Sequence, residues 1–147
     1  MIDKYFDELK MGDDWLSEGR TITETDLVMF SAFSGDWFPI HSNREYAKAT
    51  PYKERIAHGM LVLSVATGLM RFNSSTVAVF YGMDGLRFVQ PTFIGDTIYV
   101  KAAVHEKEEH QKKREAGLVT LEVTIQNQRG EGVALGYMKF VVNKKPD

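Results

Sequence analysis

Asp36 and His41 lie five residues apart in one segment, with Pro39 between them. A carboxylate and an imidazole that converge on one water molecule can accept and return a proton near neutral pH. Catalytic groups also occur on such loops more often than elsewhere. The spacing alone is weak evidence for catalysis. It is more typical of an aspartate that caps a turn and a histidine that is hydrogen-bonded within it.

Helix signals flank this segment on both sides. Thr23 is a predicted N-cap, since the sequence TETD places a carboxylate three residues after the hydroxyl. This first helix is expected to end at 34–36, Ser-Gly-Asp, and Pro39 to keep the following chain out of it. Asn43 is expected to cap a second short helix, Arg44 to Ala49. The residues between the two helices are therefore predicted to form a loop.

The stretch Gly59 to Phe72, GMLVLSVATGLMRF, is apolar almost all round. Its length favours a helix over a strand. A helix with so few polar side chains is expected to be buried on most sides. Its first residue is a glycine, which lets another group approach the backbone closely.

After Asn73 the apolar residues alternate, as they do in half-buried strands. Turn signals separate the strands at Gly95-Asp96, within 106–117 and at Arg129-Gly130. The predicted strands are Thr76–Tyr81, Leu86–Val89, Thr97–Glu106, Leu118–Asn127 and Val133–Val142. An α+β domain in which a curved antiparallel sheet wraps around the long central apolar helix fits this order, and other α+β rolls also fit it.

The composition restricts the class of protein. The 147 residues fit a single domain, 1–147, with 44% hydrophobic and 26% charged residues. A net charge of −2 gives no electrostatic case for binding nucleic acid or an anionic membrane. The absence of cysteine excludes thiol catalysis and thiolate zinc sites. The charged N-terminal residues do not resemble a signal peptide, so we expect a cytoplasmic protein.

Three segments together resemble a known family. Residues 34–41 read SGDWFPIH, residues 57–60 read AHGM, and residues 86–97 read LRFVQPTFIGDT. This pattern is similar to that of the MaoC-like dehydratases, which include the (R)-specific enoyl-CoA hydratases, and the similarity extends over roughly residues 12 to 142. It implies a hot-dog fold, a homodimer or higher even-numbered assembly, and hydration or dehydration of an acyl-CoA thioester. CoA would be part of the substrate, and no other cofactor is implied.

The resemblance also implies a role for individual residues. Asp36 and His41 match the family's catalytic pair, which holds the reacting water. Gly59 matches the glycine whose N–H binds the thioester oxygen, and a donor at a helix N-terminus suits that task. Thr67 matches a serine that supports the site, and His58 matches a histidine that we expect to orient the turn.

The two residues between Asp36 and Pro39 are aromatic. Phe38 replaces the asparagine that is usual in the family, and this predicts an acyl pocket of a different shape. Trp37 is expected either to line that pocket or to pack against the protein. Neither residue removes the carboxylate or the imidazole.

Other functions stay open at this point. A hot-dog thioesterase often has a carboxylate on the central helix, but residues 60–72 contain neither Asp nor Glu. A non-catalytic binding protein and the acyl-carrier dehydratase branch are further alternatives. His105 and His110 flank a charged loop, and a metal site there is not expected. A last group of cations either meets CoA phosphates or forms a solvated helix face: Arg44, Lys48, Lys53 and Arg55.

Overall fold

A six-stranded antiparallel sheet forms the larger part of a computed structural model that describes residues 1–146. The strands run in the order β1-β4-β5-β6-β3, and β2 pairs with β4 beside this path. The strand bounds are β1 Asp14–Leu16, β2 Arg20–Thr21, β3 Val77–Phe88, β4 Thr97–Glu109, β5 Ala116–Gln126 and β6 Gly132–Asn143. The predicted strands in the second half of the chain are therefore present.

Four helices complete the fold of the 146 described residues: α1 Glu24–Ser34, α2 Pro39–Ser42, α3 Arg44–Ala49 and α4 Gly59–Leu69. Both predicted N-caps are confirmed. Thr23 and Asp26 form a reciprocal capping box at α1, and the Asn43 side chain accepts a hydrogen bond from the Tyr46 N–H (3.0 Å) at α3. Gly35, at φ 80°, ends α1 in the left-handed conformation that glycine adopts without strain.

Alternation of side chains along the strands forms the core. Ile98, Val100, Ala102 and Val104 of β4 are all buried, and the polar residues between them face outward or lie half-buried. This inner face of the sheet packs against α4, whose Leu61, Val62, Leu63 and Ala66 belong to the same apolar cluster. Burial of this shared apolar surface is the main force that fixes α4, and hence residue 59, relative to the sheet.

Helix α4 departs from the prediction in two ways. It ends at Leu69 rather than Phe72, because Arg71 has a left-handed backbone (φ 44°) that a helix cannot continue through. The predicted burial on most sides also leaves one stripe of the helix uncovered in the single chain. The sheet covers one face, and Met60, Ser64 and Gly68, four residues apart, form an exposed stripe on the other.

Two predicted strands are in fact one. β3 runs without a break from Val77 to Phe88, with register shifts against β6 between Val77 and Val79, Phe80 and Gly82, and Asp84 and Arg87. These irregularities disturb the alternation of side chains, so the sequence shows a gap where the backbone shows none. Elements β1, β2 and α2 were not predicted, because two to four residues are too few to show a period.

Two connections between strands differ in their position relative to α4. The β4–β5 turn occupies only 110–115, since both strands extend further than predicted, and it lies at the tip of a long hairpin. The β3–β4 connection, 89–96, returns past the start of α4, where the Ala57 N–H donates to the Thr92 carbonyl (2.8 Å).

No helix in the described part of the chain is long and apolar enough to cross a bilayer.

Candidate active site

The carboxylate of Asp36 is held by bonds within its own turn. Ser34 Oγ donates to the Phe30 carbonyl (2.7 Å) and accepts from the Asp36 N–H (3.1 Å). Asp36 Oδ1 in turn accepts from the Phe38 N–H (3.1 Å). The side chain is exposed, so the other carboxylate oxygen stays available for a ligand or water. The turn-capping role that the spacing suggested is therefore present, and it orients the carboxylate.

His41 lies on α2 rather than in a loop, since Pro39 occupies the first position of this short helix. Its Nδ1 lies 2.7 Å from the carbonyl oxygen of Ile56. A carbonyl oxygen only accepts hydrogen bonds, so Nδ1 carries the proton and Nε2 is left as a proton acceptor. The half-buried ring is thus held through Nδ1, and its Nε2 remains free to accept a proton.

His58, the residue before α4, is 2% exposed and contacts both Asp36 and His41. Its Nε2 lies 3.1 Å from the Asp36 carbonyl oxygen and 3.0 Å from Ser31 Oγ, so the Nε2 proton is shared between these oxygens. The ring stacks on His41 at 3.9 Å, with Phe30 at 4.8 Å.

The protonation state of His58 follows from this environment. Burial lowers the pKa of His58, and the nearby His41 ring lowers this pKa further. His58 is therefore neutral at pH 7, and its Nδ1 is buried without a hydrogen-bond partner in the described residues. A neutral ring that is bonded to the Asp36 backbone and stacked on His41 is suited to orient the turn.

Asp36, His41 and His58 come together in space. One ligand atom from each side chain lies within 4.8 Å of the others. A water molecule at ordinary hydrogen-bond distance from both Asp36 and His41 fits such a separation. The same three residue types also match the ligand count of a catalytic zinc site. Of the two nitrogens of His58, however, Nε2 is bonded to the Asp36 backbone and Nδ1 is buried.

A cavity of about 230 Å³ opens beside His41. Gly59 lies on its wall as the first residue of α4, where the N–H has no acceptor within the helix. A Cβ atom at Gly59 would lie 2.8 Å from the Phe88 ring, so only glycine fits at this position without displacing that ring. The lining residues are His41, Tyr52, Ile56, Ala57, Gly59, Val62, Phe88, Val89, Gln90, Pro91, Thr92 and Val133.

Several cavity residues were not identified from the sequence. The wall formed by 88–92 lies at the end of β3 and in the connection after it. The only sequence signal for it is the family-like stretch 86–97, whose glycine and aspartate indicate a turn. Phe88 in particular is brought to Gly59 by the pairing of β3 with β6, which no local pattern reveals.

Five predicted site residues lie outside the cavity lining. Asp36 and His58 lie next to His41 instead, and the other three are Trp37, Phe38 and Thr67. Trp37 is 53% exposed and Phe38 56% exposed. The Phe38 ring meets His41 edge-on at 6.1 Å, so it flanks the imidazole. Thr67 Oγ1 donates to the Ser64 carbonyl (2.8 Å) within α4. Supporting roles for these three residues stay predictions.

Comparison with known protein families gives one decisive match. The family model described as the MaoC like domain matches residues 10–127. This chain belongs to the MaoC-like domain family. The matched residues include Asp36, His41 and Gly59, and they end before β6.

Two named relatives of this MaoC-like chain differ in how much of their length it covers. Protein MaoC of Klebsiella aerogenes is 40% identical over 111 residues, which are 74% of this chain but 33% of that protein. The chain thus spans about a third of the length of that relative. The (R)-specific enoyl-CoA hydratase of Rhodospirillum rubrum is 35% identical over 104 residues, 71% of this chain and 72% of the relative.

A solved structure identifies the fold. The Mycobacterium tuberculosis protein RV0216, which has a double hot-dog fold, matches with a TM-score of 0.85 at 24% identity. The match covers 98% of this chain and 45% of RV0216. The MaoC-like chain therefore has the hot-dog fold, as expected from its sequence, with α4 as the helix that the sheet covers.

Proposed function

We propose that this MaoC-like chain is a hydro-lyase that adds water to, or removes it from, the 2,3 position of an acyl-CoA thioester. One observation carries the proposal. A carboxylate, Asp36, and an imidazole, His41, offer ligand atoms within 4.8 Å of each other, and His41 and Gly59 line the same cavity. The Rhodospirillum relative, which carries the name of a hydratase, supports the same reaction class.

The proposed reaction uses Nε2 of His41 as the proton acceptor and the carboxylate of Asp36 as a hydrogen-bond acceptor. In hydration, a water molecule between Asp36 and His41 adds its oxygen to C3 of the enoyl thioester, and one of its protons passes to His41 Nε2. The electrons of the double bond shift to C2 and to the thioester oxygen. That proton then goes to C2, so water is added without any other reactant, and dehydration is the reverse. Asp36 orients the water by accepting its other hydrogen bond.

The negative charge that develops on the thioester oxygen during the reaction needs a hydrogen-bond donor. The Gly59 N–H stands at the positive end of α4 and points to no acceptor within the helix. Loss of one such donor typically costs about 3 kcal/mol of barrier. His58 cannot supply the proton in this scheme, because its buried Nε2 proton already bonds Asp36 and Ser31.

An assay with crotonyl-CoA tests the reaction class. We expect the absorbance of the conjugated enoyl thioester to fall while no free thiol appears, since water adds across the double bond and the thioester survives. Release of thiol would instead indicate a thioesterase. No change over a panel of enoyl-CoA and 3-hydroxyacyl-CoA esters would contradict the proposal and favour a binding protein.

We also propose a homodimer, or a higher even-numbered assembly, that pairs through β3. This 12-residue strand is at the edge of the sheet, and Val79, Phe80 and Tyr81 on it are exposed. An exposed apolar edge strand is a template for pairing with another strand. Sedimentation at micromolar concentration is expected to give twice the mass of one chain or a higher even multiple of it, and Tyr81→Lys to shift the protein toward monomer. A monomeric wild-type protein would contradict the proposal.

A further inference from the structure

A second depression, open to solvent and about 450 Å³ in volume, lies next to the cavity of the proposed active site. The segment 52–56 connects the two. Tyr52 and Ile56 line the cavity, and Lys53 and Arg55 line the depression. The remaining lining residues are Glu24, Arg44, Lys48, Glu54 and Ile94.

Cations predominate in this depression. Four of its lining residues are Lys or Arg and two are Glu, although the chain as a whole carries a net charge of −2. Arg55 forms an ion pair with Glu24 that fixes its guanidinium group, which is only 12% exposed. Lys48 pairs with Glu45 at 2.8 Å.

Two of the cations are uncommitted. Within residues 1–146, no carboxylate lies within 4.0 Å of the charged groups of Arg44 or Lys53. Lys53 also has a left-handed backbone (φ 65°), a conformation that is rare for a residue with a side chain. A depression with two free cations and one fixed guanidinium can receive a compact polyanion.

We infer that this basic depression binds the phosphate groups of CoA. The inference rests on the proposed function, because it takes the thioester in the cavity as its starting point. A pantetheine arm that leaves the cavity along 52–56 would carry the diphosphate and the 3′-phosphate toward Arg44 and Lys53. Guanidinium groups bind phosphates with paired hydrogen bonds and lysines bind them as point charges. A concave depression fits the clustered phosphates of CoA better than it fits an acyl-carrier protein, whose prosthetic group has a single phosphodiester.

Two substrates with the same acyl group and thioester separate the phosphate contribution from chemistry. Crotonyl-CoA carries the phosphates and crotonyl-pantetheine lacks them. For the double variant Arg44→Gln/Lys53→Gln we expect KM for crotonyl-CoA to rise about tenfold, the equivalent of about 1.4 kcal/mol, with kcat unchanged. Kinetics with crotonyl-pantetheine are expected to stay at the wild-type level. Added salt should raise KM for the CoA ester alone, since it screens exposed charges.

The matched control is Lys112→Gln, which removes an exposed cation from the β4–β5 turn and should leave both substrates unaffected. An equal effect of the double variant on both substrates, or on neither, would overturn the inference and leave the hydratase proposal intact. The inference would also fail if the variant weakened hydration of crotonyl-acyl-carrier protein more than that of crotonyl-CoA. Absence of hydration with every substrate would overturn the proposed function instead.

A binding measurement decides the inference independently of activity. Calorimetric titration with free CoA is expected to show binding to the wild-type protein and to Lys112→Gln, and about tenfold weaker binding to the double variant. Equal binding to all three proteins, or no binding to any of them, would refute the assignment of this depression to CoA.

Discussion

Replacement of Asp36 by asparagine is expected to lower kcat/KM for enoyl-CoA hydration at least a hundredfold. The amide oxygen can still accept from the Phe38 N–H, as Oδ1 does in the wild type at 3.1 Å, so the turn should persist. What disappears is the negative charge and the second oxygen, which accepts a hydrogen bond from the reacting water and orients it for proton transfer to His41. The measurement is the initial rate of crotonyl-CoA hydration against substrate concentration.

The control for Asp36→Asn is Asp14→Asn, which removes an exposed carboxylate from β1 at the opposite edge of the sheet from β3. We expect this control to hydrate crotonyl-CoA at the wild-type rate. Thermal unfolding of Asp36→Asn should also match the wild type, because the turn keeps its bonds. Near-normal activity of a folded Asp36→Asn variant would show that the carboxylate does not take part.

Replacement of His41 by alanine is expected to lower the hydration rate by a similar factor. The change removes Nε2, the proposed proton acceptor, while Asp36 keeps its carboxylate. It also removes the Nδ1 bond to the Ile56 carbonyl and the ring that stacks on His58. Part of any loss could therefore arise from a shifted His58, and a second variant is needed to separate the two effects.

His41→Gln supplies that separation, since its side-chain amide can still donate to the Ile56 carbonyl but is no proton acceptor. We expect it to be at least a hundredfold less active than the wild type, and closer to wild-type stability than His41→Ala. The matched control is His105→Ala, an exposed histidine on β4, which should be fully active. Wild-type activity in His41→Gln would exclude proton transfer by residue 41.

The parts of the fold that the sequence predicted well depend on local physics. Thr23 and Asn43 were recognisable as N-caps because a short polar side chain satisfies the free N–H groups one turn ahead. The alternation in β4 was recognisable because one face of the strand is buried and the other is not. The chemistry of Asp36 and His41 came from the resemblance to a family, since their spacing alone carries little information.

The parts that the sequence did not predict depend on contacts between distant residues. The continuity of β3 through Gly82 and Gly85 is maintained by pairing with β6. The exposed stripe of α4 was unexpected because an apolar sequence does not say how much of a helix one sheet can cover. Phe88 lines the cavity and Phe38 does not, although the sequence favoured Phe38 as the pocket residue. The position of each ring is set by tertiary packing.

The double variant Asp36→Asn/His41→Gln tests most directly whether the carboxylate and the imidazole act on the same water molecule. Groups that act as one unit give losses that do not add, so once either partner is missing, removal of the other should cost little. We therefore predict that the hydration rate of the double variant falls no more than a few-fold below that of the less active single variant. Losses that multiply, with each change contributing its full factor, would show two independent roles and would contradict a shared water.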